Sequence, residues 1–225
     1  MIGFGLVTEG ISDQIVIKNI LYGLFNSKDI PTPELSPRID ETDADYMIEN
    51  TNWLTVLEYC QTEVFRGFLE KTEDYAIIQI DTDALTGDSV PEKYRIDIIG
   101  KSVEDTVAIV QNKLISLIGT DFYKSYQEKI IFAISVNSIE CWLLPFYFSS
   151  QKVKAGKTEN CITVLNEGLK KGGHKFYIHA KDPRYYRIAA EPMKKHKDFI
   201  KYYSLNPSLK LFVDDMQARR IEVDN

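Results

Sequence analysis

Cysteine is scarce: Cys60, Cys141 and Cys161 are the three in 225 residues. Their odd number and the lack of a CxxC spacing argue against a disulfide framework and against a zinc site, and predict reduced core thiols. Long apolar runs are missing as well. None approaches the ~18–20 residues that a membrane-crossing helix needs. The first residues show no basic stretch leading into an apolar segment and a cleavage site, so a cytoplasmic protein without a membrane partner is the expectation. A phosphate-cradling glycine loop is also absent. "KAGKTENC" at 154–161 contains Gly-Lys-Thr but neither the earlier glycine nor a credible preceding strand, so nucleotide hydrolysis would have to come from a partner. No internal repeat, low-complexity tract or glycine-rich linker divides the chain.

What is present is an ordinary globular composition, 44% apolar and 27% charged, with an uneven distribution of charge. Residues 1–150 carry 11 Lys and Arg against 24 Asp and Glu, whereas residues 151–210 carry 14 against 5. Net charge is therefore -13 in the first segment and +9 in the second, within a total of -6. An acidic body joined to a basic segment suggests a polyanionic partner gripped by the C-terminal third.

Apolar runs alternate with amphipathic stretches over residues 1–150. Residues 2–8 read as a strand, followed by a helix in "ISDQIVIKNILYGLF" with Ile11, Ile15, Ile20 and Leu24 on one stripe. "SKDIPTPELSPRID" carries a connection and a short edge strand. "NTNWLTVLEYCQTEVFRGFLEKT" reads as one helix, "YAIIQI" as a strand and "DTDALTGDSVPEKYRIDIIGK" as a loop. Ser102 and Asp105 open a further helix in capping-box style. "KIIFAISVN" is a strand, and "SIECWLLPFYF" leaves it directly. Strands separated by helices imply right-handed crossovers and a mostly parallel sheet. The expected fold is α/β, a three-layer core with a mostly parallel four-stranded sheet over residues 1–150. Residues 151–225 form a mainly helical, basic extension packed on it, with turns at "KKGG" and "DP".

Several of the apolar strands end abruptly in carboxylates. Open α/β sheets place ligands at the carboxyl edge of their strands, and acidic side chains gathered there need compensation. Asp81 and Asp83 follow one strand; if the chain stays extended, period-two alternation points both the same way. Glu9 and Asp13 follow the first strand and Glu140 follows "FAISV". Together they predict a site for a hard divalent cation, Mg²⁺ or Mn²⁺, which prefers oxygen ligands. Singly, each has a plainer explanation. Asp83 suits a turn, while Asp13 and Glu140 suit the first turn of a helix.

In this order the motifs resemble those of TOPRIM domains. "TEGISD" resembles the E-G-x-x-D signature, "IDTDAL" the D-x-D motif, and "SIECWLL" the acidic motif of the nuclease-type members, over residues 1–150. The nearest likeness is to small stand-alone TOPRIM-like proteins and to the nucleases of OLD-type antiphage defence systems. The resemblance implies metal-dependent phosphodiester hydrolysis, with Glu9, Asp81 and Asp83 catalytic and Glu9, Asp13, Asp81, Asp83 and Glu140 around the metal. It implies nucleic acid as partner, an ATPase as a separate subunit, and allows a homo-oligomer. The family's lysine near the scissile phosphate has no clear match and stays open among Lys152, Lys154, Lys157 and Lys181.

Nucleic-acid contacts are expected from Lys181, Arg184, Arg187, Lys194, Lys195 and Lys197, within a stretch rich in Tyr and Phe. Tyr185, Tyr186, Tyr202 and Tyr203 are expected to pack on the core with hydroxyls outward. His174, His179 and His196 lack metal-pair spacing and read as surface residues. Two other functions fit parts of the same sequence. "IIQIDTDALTGD" also resembles the opening of a haloacid-dehalogenase-type phosphatase, with Asp81 as nucleophile, Asp83 as acid and "FVDDM" as a later acidic pair. A non-catalytic binding subunit would use the acidic pocket only to sense metal or to stabilise the fold.

Overall fold

The computed structural model describes residues 2–37, 52–86, 90–179 and 181–223. The expected helix start at 50–51, the end of the proline-rich connection at 38–40 and the turn residues 87–88 lie outside the described residues. Four strands form one sheet: β1 (Phe4–Val7), β2 (Glu34–Ser36), β3 (Tyr75–Asp81) and β4 (Ile130–Ser135). Their order is β2-β1-β3-β4 and every pairing is parallel.

Parallel strands must be covered on both faces, and alternation along each strand supplies the two sides. Phe4, Leu6 and Ile77 enter one core, whereas Val7, Ile78 and Ile80 enter the other. α1 (Ile11–Phe25), α6 (Glu140–Tyr147), α8 (Cys161–Lys171) and the C-terminal helices α9 (Pro183–Ala189), α10 (His196–Tyr202) and α11 (Pro207–Ala218) contribute to the first. α2 (Trp53–Tyr59), α3 (Glu63–Lys71) and α4 (Val103–Ile118) cover the second. Two further short α-helices are α5 (Thr120–Tyr126) and α7 (Lys152–Ala155). The molecule is thus a three-layer α/β structure of the Rossmann type with a helical C-terminal region.

α1 is buried on nearly every side, not along one stripe, because α9 and α10 pack against it opposite the sheet. Gly23 lets the segment between α9 and α10 come close: a methyl group on its Cα would collide with the Met193 carbonyl. α11 is pinned to α6 by buried polar groups. The Trp142 indole donates to Ser208 Oγ at 2.8 Å, and Asn206 Nδ2 donates to the Cys141 carbonyl at 3.2 Å.

Two expectations are corrected. The single helix over 50–72 is two helices. Thr62 caps α3 by accepting from the Phe65 amide at 3.2 Å while its hydroxyl donates to the Tyr59 carbonyl at 2.7 Å, which closes α2. The cysteines are not all reduced: packing of α8 against α6 brings Cys141 and Cys161 into a disulfide, and Cys60 is free and buried. Among the described residues no helix is long and apolar enough to cross a membrane.

Candidate active site at the carboxyl edge of the sheet

β1 and β3 are hydrogen-bonded neighbours running the same way, so Glu9 and Asp81 emerge side by side. Glu9 reaches across: its Oε1 accepts from the Asp81 amide at 2.6 Å. Gln79, fully buried within β3, ties the two together. Its Oε1 accepts from the Glu9 amide at 3.3 Å, and its Nε2 donates to Asp81 Oδ1 at 2.9 Å. Asp13 lies in the first turn of α1 and is fully buried.

Between these carboxylates stands Lys181. Its ammonium donates to Asp13 Oδ1 at 2.9 Å and to Asp81 Oδ2 at 2.8 Å. The side chain is 37% exposed along its length, while the two carboxylates that grip its end are buried. Glu140 follows β4 at the start of α6 and is buried, and the Tyr186 hydroxyl donates to its Oε1. Glu9, Asp81, Asp83, Glu140 and Lys181 line one cleft of about 560 Å³, with Glu159 and His179 on its walls.

The alternation expected for Asp81 and Asp83 does not continue. The strand ends at Asp81, Thr82 turns into the helical region (φ -80, ψ -20), and Asp83 opens a single 3₁₀ turn to Leu85. Asp81 is therefore buried and Asp83 exposed, although both face the same cleft.

Burial dominates the electrostatics, because charged carboxylates lose hydration there. It raises Glu9 to about 7 against the opposing pull of Lys181, with Asp13 and Asp83 adding repulsion. It also raises Asp13 and Asp83, and Asp81 well above the ordinary range, again against Lys181. For Lys181 burial would lower the value, but Asp81, Asp13, Glu9 and Glu140 together push it well up. The cluster thus carries one firmly held positive charge and more acidic groups than that charge can offset.

A pH dependence follows. Folded Glu9 keeps its proton to about 7, whereas an unfolded chain loses it near 4.5. Between these values the folded state binds more protons, so stability falls as pH rises through the window. Thermal denaturation in EDTA from pH 4.5 to 7 is expected to show a falling melting temperature, with a shallower slope in Glu9→Gln. An unchanged slope in that variant would contradict the assignment.

The predicted basic contacts divide. Lys181 belongs to the cleft, where its ammonium contacts Asp13 and Asp81. Arg184 pairs with Asp182 at 2.6 Å and Lys194 with Glu191 at 2.6 Å. Arg187, Lys195 and Lys197 are exposed. The expectation for Tyr186 is corrected: its hydroxyl points inward to Glu140. Of the three histidines, His179 lines the cleft, while His196 Nδ1 lies 2.7 Å from the Gly23 carbonyl.

The donor chemistry suits a hard divalent cation, since it is all carboxylate oxygen, and Asp13 Oδ2 is buried with no hydrogen-bond partner among the described residues. The arrangement itself is organised around the Lys181 ammonium. Among the described residues no group of three or more His, Cys, Asp or Glu side chains is disposed to hold a metal ion. Comparison with known protein families, curated proteins and solved structures finds no match to this chain.

Proposed function

We propose that this protein is a metal-dependent nuclease that hydrolyses phosphodiester bonds in nucleic acid. One observation carries the reading: Glu9, Asp81 and Glu140, from the ends of three parallel strands, line one cleft with the ammonium of Lys181. A phosphodiester resists attack because its anionic oxygens repel a nucleophile. Mg²⁺ or Mn²⁺ would supply Lewis acidity and an activated water; to hold it, Asp81 and Asp83, with Glu9 and Glu140 in support, would have to regroup from their present arrangement around Lys181.

The chain's own residues account for the rest. Glu9, with a pKa raised to about 7, is matched to giving and taking a proton near neutrality. Its carboxylate is oriented by the Asp81 amide, so the proton is handled at a fixed atom, Oε2. Lys181 fills the role of the family lysine that the sequence left open among four candidates. Its charge lies where an anionic phosphate would approach, and Asp13 and Asp81 hold it in place. The exposed Arg187, Lys195 and Lys197 offer contacts to the substrate backbone.

A role as an antiphage effector with a separate ATPase rests on the TOPRIM resemblance. The phosphatase alternative gains nothing from "FVDDM": Asp214 and Asp215 lie on α11, where they pair with Lys210 and Arg219.

The test is cleavage of DNA, RNA and tRNA with Mg²⁺ or Mn²⁺. Cleavage is expected to cease with EDTA and to fall by roughly 10²–10⁴-fold in folded Glu9→Gln, the usual share of a general acid or base. Metal-independent cleavage, or full activity in Glu9→Gln, would refute the mechanism.

A further inference from the structure

We propose that a second cleft, adjoining the first, binds a nucleoside next to the scissile phosphodiester; the assignment rests on the nuclease reading. This cleft measures about 410 Å³, and Asp83, Asn137 and Glu159 line both clefts. A chain held at Asp81 and Asp83 therefore lies beside the residues that the two clefts share. The volume lies within the range of roughly 300–1,000 Å³ typical of small-molecule sites.

Its lining selects the occupant. Ile98, Ile99, Val103 and Val136 give it an apolar side, and Thr86 and Thr158 add hydroxyls. Lys101 is its only cation among the described residues, and its side chain forms no ion pair with any of them. A second phosphate would meet Asp83 and Glu159 with too little positive charge to hold it. A flat apolar-faced group with polar edges, a nucleobase with its sugar, meets the opposite situation. It covers the isoleucines and finds hydroxyl partners at its rim.

The turn that carries these side chains supports the assignment. The Lys101 amide donates to the Ile98 carbonyl at 3.1 Å, and Gly100 takes the left-handed conformation (φ +69) that closes so tight a turn. The turn leaves Ile99 89% exposed, more than any other large apolar side chain among the described residues. Its solvent-facing position gives a base an apolar surface to cover.

The test compares the full-length protein with Ile99→Asp, and with Val64→Asp as a control. Val64 is 57% exposed on α3 and lines neither cleft. A fluorescein-labelled single-stranded oligonucleotide is titrated with Ca²⁺ in place of Mg²⁺. The kcat/KM ratio between that oligonucleotide and bis(4-nitrophenyl) phosphate is then measured with Mg²⁺. Ile99→Asp is expected to weaken binding roughly 5-fold or more, the low end of a lost base contact, and to lower the ratio, while Val64→Asp changes neither. Unchanged affinity and ratio in Ile99→Asp would overturn the subsite and leave the nuclease reading intact. If the native protein binds but cleaves neither substrate and Ile99→Asp weakens binding, the cleft stands and the hydrolytic reading falls. A native protein that neither binds nor cleaves would remove both.

Discussion

Asp81→Asn is expected to abolish metal-dependent cleavage and to leave the melting temperature unchanged or higher. The loss should be roughly 10³-fold or more, since a metal's share of transition-state stabilisation is several kcal/mol and about 1.4 kcal/mol is a factor of ten. Stability moves the other way because the carboxylates outnumber the one ammonium that joins them. Asp81 is 2% exposed and stands beside Glu9 and Asp13, whose charges repel its own. Removing one negative charge relieves that repulsion, and the amide oxygen of Asn can still accept from Gln79 Nε2. Function and stability would thus oppose each other at this residue, as at many active sites. Paired measurements of cleavage rate and melting temperature check the claim. A variant that loses activity because it unfolds would contradict it.

Lys181→Met is expected to destabilise the fold as well as to remove activity. Deleting one partner of a buried ion pair leaves the other uncompensated, at a cost of about 3–5 kcal/mol when both are fully buried. The side chain of Lys181 is 37% exposed, so solvent screening reduces this to roughly 2–3 kcal/mol. For a chain of this length the melting temperature should fall by roughly 5–10 °C. Adding Asp81→Asn to Lys181→Met should restore part of the loss, because fewer charges then lack a partner. Equal melting temperatures for the native protein and Lys181→Met would show that the ammonium is not what balances the cluster.

The strands and the edge they share were legible because buried parallel strands spell themselves as short, mostly apolar runs, and because Glu9, Asp81 and Glu140 stand at their ends. Local conformation was harder. The turn at Thr82 separates the environments of Asp81 and Asp83, and an extended-chain rule has no means of placing it. The Thr62 cap that splits α2 from α3 does have a local signature, a threonine followed by Glu63, but the amphipathic pattern runs through it unbroken. Least legible was everything set by distant packing. Tyr186 meets Glu140 across 46 residues, and Cys141 meets Cys161 across 20. Neither pairing has a periodicity or a motif. The stretch "HAKDP" likewise gives no sign that its lysine belongs among carboxylates.

Lys181 lies 168 residues after Asp13 and 100 after Asp81. On the ribosome the acidic strand ends therefore emerge long before the residue that neutralises them. A nascent chain that stops short of Lys181 holds the sheet's sequence but not its counter-charge, so the fold should not cohere until Lys181 and the helices after it, α9 to α11, have been made. Truncation before that point should yield a poorly folded polypeptide.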